Sequence, residues 1–199
     1  MRQVLRFVRA HRAHWSALAI LLITLITSLA GSKAIRFRVT DSLAVPWLLF
    51  VPVLSASLIG FSAASQMHDW EELSTRQLFK YRVTLLLSLL ALATLVTDLA
   101  ANEAGTYSGA AAIRNLVGFT GLALIGAVLL GASACWVVPL GYAAVSIVGG
   151  SSRSQVEAWA WPALTGTAAG ATAQAVVVCV VGLAAAATMT ERLNRATSN

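Results

Sequence analysis

Long apolar stretches dominate this sequence, near residues 15–31, 43–65, 83–101, 113–150 and 160–189. A helix needs roughly 20 mostly apolar residues to cross a hydrocarbon core of about 30 Å. Inside lipid every backbone N–H and C=O must be satisfied within the protein, which favours helices for such stretches. The chain therefore reads as an all-α integral membrane protein.

Composition agrees. Of 199 residues, 58% are hydrophobic, the mean hydropathy is +0.76 and only 11% are charged. Soluble domains carry about 25% charged residues. With most of the length in lipid, residues 1–199 form a single transmembrane domain. The formal charge of +6 does not call for nucleic acid. The Lys and Arg lie between the apolar stretches, as the positive-inside bias requires, and there is no soluble face to carry a nucleic-acid patch. Cys135 and Cys179 lie deep in apolar stretches and read as small packing residues. No zinc spacing is present.

The stretch 113–150 contains one charge, Arg114. As one helix it would run about 57 Å, roughly twice the hydrocarbon thickness. It divides into two antiparallel spans turning at Gly131-Ala132-Ser133. The expectation is thus about six transmembrane helices, near 15–31, 43–65, 83–101, 113–131, 133–150 and 163–189. Pro46 and Pro52 fall in the first half of the second span and tend to kink it. Residues 32–42 read as a short loop. The basic N-terminus, with Arg2, Arg6, Arg9 and Arg12 among Val4, Leu5, Phe7 and Val8, suits an interfacial helix on an anionic leaflet or a plain orienting flank. The run from Trp15 to Ala30 reads as a retained first span, because Ser28-Leu29-Ala30 only loosely matches a cleavage site.

Orientation follows from the cations. With a cytoplasmic N-terminus, nine fall inside (Arg2, Arg6, Arg9, Arg12, Arg76, Lys80, Arg82, Arg192, Arg195) and five outside (Lys33, Arg36, Arg38, Arg114, Arg153). This puts both termini in the cytoplasm of a multi-pass protein in the inner (plasma) membrane. Trp15, Trp47, Trp70, Trp136, Trp159 and Trp161 fall near span ends, as an aromatic belt does.

The polar segment 65–82 looks like an amphipathic helix between spans two and three, with Glu72 and Arg76 as an i,i+4 pair of the favoured polarity. It is either a docking element for a cytoplasmic partner or an ordinary connection at the headgroups. Gln155–Pro162 reads as a short interfacial or re-entrant helix, or as part of the aromatic belt, with Pro162 in the first turn of span six.

Other features carry paired readings. Gly166 and Gly170 form a small-xxx-small pattern with Ala163, Thr167 and Ala171 beside them, and Gly118, Gly121 and Gly126 mark span four. Such faces serve packing within the chain or a subunit seam. Gln174, near the middle of span six, lines a pathway or hydrogen-bonds a neighbouring helix. Asp98, with Asn102 and Glu103 a turn on, is a coupling carboxylate or a solvated helix end, and Arg114 is a possible partner. Ser and Thr in spans one and three can bond their own backbone carbonyls. His11 and His14 stand at i,i+3 with no acid or thiol ligand adjoining them, and His68 falls at the same proposed face, so no metal site is expected.

The order of parts resembles the permease subunit of an ABC exporter of the type-two class. That family has a basic amphipathic N-terminal helix, six spans, a cytoplasmic coupling helix between spans two and three, and a structured outer link before span six. Its order of acidic residue, small hydroxyl residue, apolar positions and an Arg entering span three is matched by Glu71, Glu72, Ser74, Thr75, Leu78, Phe79 and Arg82. The family's Gly after the acidic pair and Pro before the Arg are absent. The resemblance implies that Asp69, Trp70, Glu71, Glu72, Thr75, Arg76, Phe79, Lys80 and Arg82 contact a separate cytoplasmic ATPase subunit, which holds ATP and Mg. It implies a second permease copy or a homologous chain, and a hydrophobic or amphipathic substrate. This chain has no GxxxxGK[ST] phosphate loop, and neither catalysis nor a cofactor is expected on it. The alternatives are an accessory or assembly subunit of a membrane complex and an ion-coupled carrier using Asp98 or Glu103.

Overall fold

The computed structural model describes residues 13–30, 34–36, 44–46, 50–63, 77–104, 109–152, 155–164 and 168–197. Among them are six α-helices: α1 Ala13–Ala30, α2 Phe50–Ser62, α3 Gln77–Ala104, α4 Gly109–Leu130, α5 Val137–Gly149 and α6 Ala169–Thr197. Four stretches, Arg82–Ala100, Gly109–Leu130, Ala132–Gly149 and Ala169–Ala187, are long and apolar enough to cross a membrane. His14–Ile26 and Phe50–Ser62 are apolar but shorter.

The outward faces are greasy. Leu18, Leu21, Leu22, Leu25 and Ile26 on α1, Leu87, Leu95 and Leu99 on α3, and Val176, Val177, Val180 and Val181 on α6 are all exposed. Apolar surface on this scale is a liability in water and the natural coat in lipid. Hydroxyls within these helices bond their own backbone as expected: Thr24 to the Ile20 carbonyl (2.9 Å), Ser88 to Thr84 (2.8 Å) and Thr94 to Leu90 (2.8 Å).

Helix α4 is the centre of the bundle. It packs against α2, α3, α5 and α6, while α1 packs against α2 and α3. Lipid tails are as apolar as leucine, so helices associate through close packing, which small residues permit. The contacts of α4 follow that rule. A Cβ at Gly121 would stand 2.6 Å from the Cys179 Cα, and one at Gly182 would stand 2.7 Å from the Gly121 Cα. A Cβ at Gly60 of α2 would lie 2.9 Å from the Ala123 Cβ, and one at Gly126 would lie 2.7 Å from the Cys135 carbonyl oxygen. Two apolar clusters fill the spaces around these seams. One joins Ile20, Ile59, Ala63, Leu86, Leu89, Ala93, Leu116, Leu124 and Ala186. The other joins Val53, Ala56, Phe119, Ala123, Ala143, Trp161, Ala171 and Ala175. On the side of α1, the Ser16 and Ser62 hydroxyls are 2.6 Å apart and hydrogen-bonded.

The expected turn at Gly131 is present. Gly131 has φ 86°, a left-handed conformation that glycine adopts without strain. A 3₁₀ turn over Ala132–Ala134 leads from there to α5.

Other boundaries differ from expectation. Residues expected to be a loop and the start of span two form a small antiparallel ladder, β1 Ala34–Arg36 with β2 Ala44–Pro46, in the register Ala34 to Pro46 and Ile35 to Val45. Helix α2 therefore begins only at Phe50, and its 13 residues rise about 20 Å. Neither proline kinks it: Pro46 belongs to a strand, and Pro52 sits in the first turn, where the missing N–H has no intrahelical partner. Helix α3 starts earlier than expected, at Gln77, so the last part of the polar segment is continuous with span three. The N-terminal segment 1–12 and residues 64–76 lie outside the described residues.

Candidate functional site

The connection from α5 to α6 turns back into the bundle. Ser151–Ser152 pairs with Gln155–Val156 in a short antiparallel ladder, β3 with β4. The Glu157 N–H then donates to the Gly150 carbonyl (2.9 Å), and the Ala160 N–H to the Glu157 carbonyl (2.9 Å). A 3₁₀ turn follows over Trp161–Ala163, with Pro162 in its opening positions. The expected helix over Gln155–Pro162 is thus replaced by a strand and tight turns. Ala160, Trp161 and Pro162 are buried, with Trp161 only 2% exposed.

Trp161 is seated on the central helix. A Cβ at Gly118 would lie 2.7 Å from its Cζ2 and 2.9 Å from its Cζ3. Its ring centroid is 5.3 Å from that of Phe119 and 5.7 Å from that of Tyr142, both tilted. Tilted aromatic pairs at these separations are favourable beyond their burial. The Tyr142 hydroxyl donates to the Trp159 carbonyl. Expected as an interface anchor, Trp161 is a core residue instead; Trp15, Trp136 and Trp159 stay exposed, as anchors do.

Two polar side chains of α4 fasten the segment. The Asn115 amide donates to the Pro162 carbonyl at 3.0 Å. Arg114 donates through Nη2 to the Leu164 carbonyl and through Nε to Asn115 Oδ1 at 3.2 Å. Both side chains are buried, Arg114 at 4% exposure. Charged groups at such depth face the protein interior and find partners there. These bonds hold the chain ahead of helix α6, which begins at Ala169 and not near 163. The Pro162 and Leu164 carbonyls accept from α4, and Leu164 is extended (φ −72°, ψ 121°).

The residues singled out from sequence fall in three groups. Gly118 receives Trp161, and Gly121 forms the close seam with α6. Of the small-xxx-small pattern expected near the start of the last helix, Ala171 lies on that seam. Gly166 lies outside the described residues, and Gly170 is exposed, with nothing within 4 Å of a Cβ built on it. The α6 face that packs on α4 is Ala171, Ala175, Cys179, Gly182 and Ala186. Gln174 falls in the second turn of the later-starting helix, on an exposed face, so it is neither central nor packed inside the chain. Asp98 is partly buried on α3. Glu103 and Asn102 lie in the last turn of the same helix.

Of the residues expected to meet an ATPase, Asp69, Trp70, Glu71, Glu72, Thr75 and Arg76 lie outside the described residues. Phe79 and Lys80 belong to the first turn of α3. Arg82 turns back into the bundle: its Nε donates to the Ala63 carbonyl at the end of α2 at 2.8 Å, and Nη2 donates to the same oxygen. Among the described residues, no three His, Cys, Asp or Glu side chains gather as metal ligands.

Sequence reasoning missed the joint role of Asn115, Tyr142 and Trp161. One signal was available: Arg114 and Asn115 are adjacent polar residues entering an otherwise apolar span, and such residues need partners.

The chain matches no protein-family model, no curated protein and no solved structure.

Proposed function

We propose that this chain is the membrane permease subunit of an ATP-driven exporter, with six spans, both termini in the cytoplasm of a plasma-membrane protein, and a separate ATPase chain as its motor. The substrate is hydrophobic or amphipathic. A second copy or a related chain completes the pathway. The chain itself binds neither ATP nor Mg, because it has no phosphate loop.

The observation that supports this reading is that α4 contacts two places at once. Toward its start it holds the Trp161 link through Gly118, Arg114 and Asn115. Toward its end, Leu124 shares an apolar cluster with Ala63 and Leu86, beside the junction between α2 and α3. The charged segment that resembles a coupling helix joins those two helices. A transporter must connect an ATPase on one face to a closure on the other, and a central packed helix is a physical route for that. The Trp161 link acts as the closure at the end opposite the ATPase.

The test is coupling. Replacing Glu71, Glu72 or Arg76 leaves the helices folded but separates ATP hydrolysis from substrate movement in vesicles. Tight coupling in all three variants would remove the docking role.

A further inference from the structure

The family resemblance places Arg82 among the residues that meet an ATPase, yet its guanidinium is engaged inside the chain. Helix α2 runs to Ser62, and the Ala63 N–H still donates to the Ile59 and Gly60 carbonyls, both at 3.1 Å. The Ala63 carbonyl belongs to the last turn, whose carbonyls have no partner further along the helix. Arg82 supplies one, through Nε at 2.8 Å and through Nη2. A cation at a helix C-terminus is electrostatically favoured, and charge-assisted bonds are the stronger kind. The junction also has an apolar floor. Ala63 is buried at 3% exposure in one cluster with Leu86 and Leu89 of α3. Leu86 follows Arg82 by one turn and so shares its face.

We infer that Arg82 is a positioning residue that fastens the end of α2 to the start of α3, so that the two helices move as one body when the chain between them is displaced. This rests on the proposed docking role of residues 66–82, but it removes Arg82 from the docking surface. Without the clamp, a displacement would be absorbed by hinging at Ala63. With it, the displacement passes to α2 and α3 together, and both pack on α4.

The test uses the full chain co-purified with whatever ATPase it binds, in lipid nanodiscs, with Arg82→Gln and Arg82→Lys as variants. Spin labels at Phe61→Cys and Leu87→Cys, two exposed positions on α2 and α3, report their separation with and without ATP. The inference predicts normal ATPase recovery in both variants. It predicts a narrow 61-to-87 distance unchanged by ATP when Arg82 is present, a broad ATP-sensitive one in Arg82→Gln, and an intermediate one in Arg82→Lys. Loss of ATPase by about tenfold or more from an Arg82→Gln chain with a wild-type resting distance would make Arg82 a docking contact and overturn the inference. So would full ATPase recovery with an unchanged narrow distance. If the wild-type chain recovers no ATPase, the docking reading itself fails, and the coupling role of Arg82 fails with it.

Discussion

Gly118 and Trp161 occupy one volume: the indole ring fills the space into which any side chain at position 118 would project, its Cζ2 2.7 Å from where a Cβ would stand. Seating of the α5–α6 link therefore depends on a glycine three residues before Gly121, which performs the same service for helix α6.

The first prediction concerns this seat. Gly118→Val expels Trp161 and frees the link. A cysteine at Ala163, half-buried beside Pro162, should then react with an aqueous maleimide about tenfold faster, equivalent to about 1.4 kcal/mol of lost seating. Trp161→Ala alone should cost about 3–5 kcal/mol in detergent unfolding. Adding Gly118→Val to it should cost less than Gly118→Val costs in the wild-type background, because the two side chains compete for the same space.

A second prediction separates glycines that look alike in sequence. Gly121 and Gly182 touch across the α4–α6 seam, while Cβ atoms at Gly141 and Gly170 would meet nothing within 4 Å. Alanine at 121 or 182 should destabilise by about 1–3 kcal/mol through overpacking. Alanine at 141 or 170 should instead stabilise by up to about 1 kcal/mol, through helix propensity. Thermal unfolding in one detergent reads the opposite signs.

Third, the carbonyls of the link need their donors. Asn115→Leu deprives the buried Pro162 carbonyl of its partner and should cost about 1–3 kcal/mol. Arg114→Leu removes bonds to Leu164 and Asn115 together and should cost more than Asn115→Leu. Hydrogen exchange over residues 157–164 should rise in both variants, and remain unchanged over α1, which packs on α2 and α3.

A fourth prediction addresses topology. Helix α2 rises only about 20 Å, so six spans require the chain before Phe50 to help cross. Reporter fusions after Ala30 and after Gly149 should fall on the non-cytoplasmic side, and fusions after Ser62, Leu130 and Thr197 on the cytoplasmic side. Fusions after Ala30 and Ser62 on the same side would remove α2 as a span.

The helices were legible because apolar runs and breaks are local. The turn at Gly131 could be placed within a 38-residue apolar region, since two bilayer widths must fold back and a glycine there admits a positive φ. What stayed hidden was relational. Trp161 near a span end satisfies an aromatic belt as well as a core, and only its neighbours Gly118, Phe119 and Tyr142 decide between them. Gly170 belongs to the more conspicuous motif, but Gly182 faces the partner helix, because the phase of a helix about its axis is set by packing and not by spacing. Residues 34–46 read locally as a loop leading into a span, because the bonds of the strand pair run across the chain and leave no local signal. The Arg82 clamp was masked by its place at the end of a charged segment, where a partner contact and an intramolecular cap look the same.

The most direct test of the proposed function is affinity purification of the intact chain in mild detergent, with identification of co-purifying chains and an ATPase assay. The account predicts a stoichiometric soluble ATPase that is lost on replacing Glu72 and Arg76 together. A chain that purifies alone and brings down no ATPase activity would contradict it, and would make Asp98 the next residue to test for ion-coupled transport.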